Sequence, residues 1–189
     1  MKENKVVILS APSGCGKTTI LKALMEMGLP LEFSVSATSR PKRTGEVDGR
    51  DYYYFTPEQF KAKVEAQEFL EWNEVYAGQY YGTLLSEIDR IAANGRHVIF
   101  DVDVQGGLSI KEKFGARALS VFVMPPSIEA LKERLLFRGT ETPESIGKRL
   151  ERASFEMSYS ERFDYVLIND DLQKAIEEAY GLISGFLEK

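Results

Sequence analysis

The run Ser10-Ala11-Pro12-Ser13-Gly14-Cys15-Gly16-Lys17-Thr18-Thr19 has the residue types and spacing of a phosphate-binding loop. Small residues let successive backbone N–H groups curl around an anion. The N-terminus of a following helix adds partial positive charge, and Lys17 supplies a mobile ammonium. Thr18 offers a hydroxyl to the Mg²⁺ that accompanies a nucleoside triphosphate. One position departs from G-x-x-x-x-G-K-[ST]: Ala11 stands where the first glycine is expected. The plain alternative is a glycine-rich turn with a surface lysine. The flanking elements weigh against it: Lys5-Val6-Val7-Ile8-Leu9 reads as a buried parallel strand, and Ile20-Leu21-Lys22-Ala23-Leu24-Met25 as a helix stopped near Gly28 and Pro30.

A second cationic cluster, Arg40-Pro41-Lys42-Arg43, follows this helix. It reads either as a solvated turn or, beside a phosphate loop, as the site of a second phosphate, because the arginine fork binds phosphate oxygens in pairs. Tyr52 and Tyr81 offer hydroxyls to phosphate and rings to a base, or are rim aromatics. Glu71, among hydrophobes in Phe69-Leu70-Glu71-Trp72, is open between a wet-face charge and an acceptor for the two N–H groups of a guanine edge. Asp101 ends the apolar run Val98-Ile99-Phe100, as a magnesium-holding carboxylate does at the carboxyl end of a strand. If that strand continues, Asp101 and Asp103 share a face. Arg134, Arg138 and Arg149 lie on two helical segments around a polar break. They read as a lid that stabilises charge on a moving phosphoryl group, or as surface partners of Glu133, Glu144 and Glu151.

The elements that must carry these groups alternate. The spacing predicts strands over 33–39, 50–55, 69–75, 98–103, 119–124 and 163–168. Helices are expected from Thr56-Pro57 to about Gln67 and over 84–94, 108–114, 144–157 and 172–186. The β-rich segment after the first helix does not fit plain α/β alternation and reads as an insertion with its own binding surface. The chain has 189 residues, 43% hydrophobic and 28% charged, with a net charge of −5. That balance argues against a broad basic nucleic-acid surface, and no apolar run approaches the roughly 20 residues of a membrane span. A single cysteine excludes an internal disulfide, and one histidine with one cysteine excludes a Cys/His zinc cluster. The absence of a leader-like N-terminus fits a cytoplasmic location.

Taken together the chain resembles the guanylate kinases over essentially its whole length. The markers are Ser34-Val35-Ser36, Arg40, Arg43-x-Gly45-Glu46, Gly49-x-Asp51-Tyr52, Phe69-Leu70-Glu71-Trp72 and Tyr80-Tyr81-Gly82-Thr83. Asp101-Val102-Asp103-x-Gln105-Gly106, Arg138-Gly139-Thr140-Glu141-Thr142, Arg149-Leu150 and Asn169-Asp170 complete them.

The resemblance implies a P-loop three-layer α/β/α fold with a central parallel sheet. Its core would be 1–32, 84–137 and 158–189, with an inserted mixed α+β GMP-binding subdomain at 33–83 and a helical lid at 138–157. It implies transfer of phosphate from ATP to GMP with Mg²⁺, by a monomer or homodimer without nucleic-acid or membrane partners. ATP would meet Ser13, Gly14, Cys15, Gly16, Lys17, Thr18, Thr19, Arg134, Arg138, Asn169 and Asp170. GMP would meet Ser36, Arg40, Arg43, Tyr52, Glu71, Tyr81, Thr83, Asp101, Asp103 and Gly106. Thr18 and Asp101 would hold the metal, and Lys17, Arg43, Arg138 and Arg149 would act on the transferred group. Pro41 follows the first arginine of the turn instead of preceding the second, and one extra residue falls between Trp72 and Tyr80. Two other readings stand beside this one, a catalytically silent protein-binding module and a kinase for a different nucleoside monophosphate. Cys15 reads as a small loop residue or as a thiol activated by the helix N-terminus.

Overall fold

The structure is a computed structural model describing residues 4–137 and 143–189. Strand β1 (Val6–Ser10) is buried at every position, as a β-branched run inside a parallel sheet must be. It pairs in parallel with β8 (Ala118–Met124), Val6 opposite Ala118 and Ser10 opposite Phe122, and β8 pairs in parallel with β9 (Tyr165–Ile168). Strand β2 (Leu31–Phe33) pairs in parallel with β7 (His97–Asp101). The five-stranded order is β2-β7-β1-β8-β9. A separate mixed sheet has the order β4-β3-β6-β5, from β3 (Ala37–Thr38), β4 (Tyr53–Tyr54), β5 (Phe69–Tyr76) and β6 (Gln79–Leu84). This is the α/β class expected. No described helix is long and apolar enough to cross a membrane.

The chain divides into two compact units, one built on Pro30–Ile99 and the other on Lys5–Leu29 with Phe100–Lys189. In the second unit, α1 (Lys17–Glu26) packs on β1 and on α7 (Leu172–Glu188), and α4 (Val104–Phe114) packs on β1 and β8. Helix α5 (Ile128–Phe137) packs on α6 (Pro143–Met157). Helix α4 begins four residues before the predicted start because Asp103 caps it, accepting the Gly106 N–H at 2.8 Å. Gly106 and Gly107 are therefore helical. At Gly107 a Cβ would stand 2.7 Å from Ser10 Oγ, so the glycine serves close approach of helix to strand. Strand β7 ends at Asp101, and the expected shared strand face of Asp101 and Asp103 does not form.

In the first unit, α2 (Pro57–Glu65) starts with a reciprocal capping box between Thr56 and Gln59. It ends two residues early, since Gln67 takes the left-handed conformation at φ 56°. Phe60 of α2 stacks on Phe69 and Tyr80, at centroid distances of 4.4 and 5.6 Å, over a core that includes Ala37 and Leu84. Helix α3 (Leu85–Ala93) packs against β6. The predicted strand over 33–39 is split into β2 and β3. Between them the Ser34 N–H makes the last β2–β7 ladder bond, to the Ile99 carbonyl, and the Val35 N–H leaves the ladder for the Glu87 carboxylate. The strand predicted over 50–55 shrinks to Tyr53–Tyr54 because Arg50 and Asp51 donate back to the Val47 carbonyl in a turn. Register shifts beside Leu70 and Val75 bend β5. The second places one additional residue on β5 before the β5–β6 turn, within the stretch where the resemblance implies an extra residue.

Candidate active site

The loop leaving β1 reaches α1 through two residues in the left-handed region, Gly14 (φ 98°) and Gly16 (φ 87°). Ala11 is not in that region: Gln67 is the one described non-glycine residue with positive φ. The alanine is therefore free of the strain that a left-handed conformation imposes on a residue with a Cβ. No side chain caps α1: the Thr19 and Ile20 N–H groups go to the Gly16 carbonyl at 3.0 and 3.1 Å, and the positive end of the helix stays open to an anion. Lys17 Nζ donates to the Val102 carbonyl at 3.0 Å and forms an ion pair with Asp101, placing ammonium, loop and strand end together. Ser10 Oγ donates to the same carbonyl at 3.1 Å. Thr18 and Thr19 are exposed on the first turn, as is Ser13 in the loop.

Asn169 braces this loop. Its Nδ2 donates to the Cys15 carbonyl at 2.7 Å, and a Cβ at Gly16 would overlap that nitrogen. Arg134 of α5 donates to the Asn169 carbonyl at 2.8 Å and more weakly to that of Asp170. With Gly14, Glu133 and the almost fully exposed Phe137 it lines a shallow recess. Arg149 lies on α6. Arg138 and the rest of its marker, Gly139 to Thr142, fall outside the described residues.

The Cys15 thiol is 1% exposed, and burial pushes its pKa up to about 12 against the pull of Arg134 and Lys17, with Glu156 adding to the rise. Cys15 is thus a small packed residue and not an activated thiol. A thiol-exchange reagent at pH 8 is expected to label the native chain about 100-fold or more slowly than the urea-unfolded chain. Equal rates would contradict the burial.

The first unit carries a different constellation. Arg40, buried, makes a two-pronged pair with Glu46 at 2.7 and 2.6 Å and donates to the Pro41 carbonyl at 3.0 Å. Its guanidinium lies over the rings of Tyr52 and Tyr54, 4.9 and 5.7 Å from their centroids. Glu46 also accepts the Arg43 N–H at 2.8 Å and the Tyr54 hydroxyl at 2.7 Å. Hydrogen bonds from Arg40, first, and from the Arg43 N–H hold its carboxyl well below the usual range. Burial and the Glu46 hydrogen bond push the Tyr54 hydroxyl up to about 12. The Tyr52 and Tyr81 rings meet edge to face at 6.1 Å, and the Arg43 side chain is exposed beside this cluster's backbone.

On β6, Tyr81 and Thr83 are two apart and share a face. Glu71 of β5 stands opposite Thr83, whose hydroxyl donates to Glu71 Oε1 at 2.7 Å. The Glu71 carboxylate paired with Thr83 and the Tyr81 side chain thus sit on one side of the same sheet. Ser36, Arg40, Arg43, Tyr52, Glu71, Tyr81 and Thr83 all belong to this unit, whereas Asp101, Asp103 and Gly106 belong to the other. Asp103 and Gly106 are engaged with each other at the start of α4.

Three groups at or near these clusters received no role from the sequence. Glu46 orders Arg40, and its signal was a carboxylate inside a cationic turn. Phe137 sits at the recess beside Arg134, flagged only by being aromatic at a helix end. Glu87, a charged residue 2% exposed, left no local signal.

Known proteins of one family resemble the chain along nearly its whole length. The family model described as guanylate kinase matches residues 3–185. A guanylate kinase of Bacteroides thetaiotaomicron is 49% identical over 98% of this chain and 91% of its own length. One of Porphyromonas gingivalis is 48% identical over 98% and 99% of the two chains. The crystal structure of guanylate kinase from Anaplasma phagocytophilum superposes with a TM-score of 0.74 at 32% identity, covering 98% of this chain and 85% of that one. With its family model spanning nearly every residue and relatives alike from end to end, the chain belongs to the guanylate kinase family.

Proposed function

We propose that the chain transfers the γ-phosphoryl group of ATP to GMP, with the loop at 11–18 holding the donor and the Pro30–Ile99 unit holding the acceptor. The observation that carries the acceptor assignment is the Glu71–Thr83 pair on the sheet face that bears Tyr81. It offers a base-edge acceptor on the same face as a phosphate-facing hydroxyl.

A GMP phosphate oxygen attacks the γ-phosphorus, the bond to the β–γ bridging oxygen breaks, and ADP departs with that electron pair. The attacking oxygen of a phosphate dianion carries no proton to remove, so no histidine base is required. The chain's task is to hold two repelling polyanions and offset charge on the moving group. Lys17 and the first-turn N–H groups of α1 serve the donor. Arg40, Arg43, Tyr52 and Tyr81 serve the acceptor phosphate, and Arg138 and Arg149 the group in transit. Arg134, Asn169 and Asp170 support the nucleotide end of the donor site, and Ser36 the guanine.

Thr18 and Asp101 supply the hard oxygen donors suited to Mg²⁺, which is bound by one or two protein groups plus substrate phosphates. When bound, the ion neutralises charge on the β- and γ-phosphates. A monomer or homodimer completes the reading; the net charge of −5 supports the lack of a nucleic-acid partner, and the single cysteine supports a cytoplasmic location.

A coupled assay of ADP release with GMP, AMP, dTMP and UMP tests it. Turnover with GMP well above the other three is the expected result. No turnover with any acceptor would support the binding-module alternative, and preference for another acceptor would support a different monophosphate kinase.

A further inference from the structure

Glu87, on the first turn of α3, is the most buried carboxylate described that takes no part in the reaction above. Its two oxygens receive four donors. Oε1 accepts the Tyr53 hydroxyl at 2.7 Å and Arg90 Nε at 2.8 Å. Oε2 accepts the Val35 N–H at 2.9 Å and an Arg90 terminal nitrogen at 2.9 Å. A carboxylate has about four lone-pair positions, so this one is fully used. Arg90 is itself paired with Glu32 and donates to the Phe33 carbonyl at 3.3 Å, and Asn94 donates to Glu32. One network thus joins β2, the segment after it, β4 and α3, all within the Pro30–Ile99 unit.

The placement of its anchors gives the network meaning. Val35 precedes Ser36, and Tyr53 follows Tyr52. The Tyr53 N–H donates to the Ser36 carbonyl at 2.9 Å, so the two segments are also tied to each other. The Tyr52 and Tyr54 rings meet at 5.9 Å and both lie against the Arg40 guanidinium, while Tyr53 between them turns to Glu87, so gripping Tyr53 from one side leaves Tyr52 presented on the other. Burial works against the charge on Glu87, but Arg90, the Val35 N–H and the Tyr53 hydroxyl outweigh it and keep the carboxyl below its ordinary range.

The geometry points to Glu87 as a positioning residue for GMP: it sets the backbone of Ser36 and of Tyr52 together, so base and phosphate contacts are held at a fixed spacing. This rests on the reading that Ser36 and Tyr52 meet GMP. Donor binding uses other residues and is outside its reach.

The test is steady-state kinetics on the full chain with both substrates varied, comparing wild type, Glu87→Gln and Tyr53→Phe. Glu87→Gln keeps the shape but turns one acceptor oxygen into a donor. It is expected to raise KM for GMP about tenfold, with KM for ATP within about twofold. Tyr53→Phe removes a single hydroxyl, leaves the core contact and is expected to raise KM for GMP about threefold. It decides the matter even where Glu87→Gln does not fold. In the double variant the rise should fall short of the product of the two. KM for GMP within twofold of wild type in Tyr53→Phe, or an equal rise for ATP, overturns the positioning role while the wild-type GMP turnover in the same assay leaves the function standing. A wild-type chain inactive on GMP overturns both.

Discussion

Lys17→Met is expected to lower kcat/KM for ATP and GMP about 10³-fold while the chain stays folded. Methionine keeps most of the apolar stem and removes only the ammonium, so the loss reads the charge and not the packing. In the structure that charge is held at the loop mouth by Asp101 and by the Val102 carbonyl at 3.0 Å. It is therefore aimed before substrate arrives, which is the condition under which one donor contributes most to a transition state. The stability effect is small by comparison. The Lys17 and Asp101 side chains keep 16% and 22% of their surface exposed, so the orphaned carboxylate can still draw on water. Kinetics alongside a thermal melt separate the two effects. Activity within tenfold of wild type would remove Lys17 from the chemistry.

What was legible in the sequence follows the range of the interactions. The loop at 11–18 and the turn at 40–46 are local, with spacing along the chain determining which groups converge: the loop joins strand to helix as expected, and the turn folds Arg40 onto Glu46. The parallel strands were legible because a strand buried on both faces is written as an unbroken apolar run. Element ends were less so. The start of α4 depends on Asp103 serving as its cap, and Gly106-Gly107 looked like a turn although Gly106 donates to that cap and Gly107 serves close approach to Ser10. The break in the strand at 34–36 depends on Glu87, more than fifty residues later, taking the Val35 N–H. Ala11 shows the same limit from the other side. It breaks the motif as written, yet the conformation at that point makes no demand that alanine cannot meet. Glu46 had its cue in the sequence, but only the structure shows the carboxylate in a two-pronged pair with Arg40.

Glu71→Gln is expected to lower kcat/KM for GMP about 100-fold or more with little change for AMP, collapsing the preference between them. Guanine presents two neighbouring donors, N1–H and the 2-amino group, where adenine presents a bare acceptor and no amino group. A carboxylate accepts from both guanine donors, and two facing acceptors repel each other in the adenine case. The Thr83 hydroxyl at 2.7 Å from Oε1 orients the carboxylate while occupying one of its several lone-pair positions. Glutamine keeps one acceptor but sets an amide N–H₂ against a guanine donor. A hydrogen bond becomes a donor–donor clash in a site that must then leave a polar group unpaired, and sites built to hydrogen-bond a substrate discriminate strongly on such losses. Thr83→Val tests the orientation separately: it keeps the β-branched shape on β6 and should cost GMP about tenfold, less than the change at Glu71 itself. An unchanged GMP-to-AMP ratio in Glu71→Gln would move base recognition to other residues. A fall in both substrates by the same factor would mean that Glu71 holds β5 and β6 together and does not read the base.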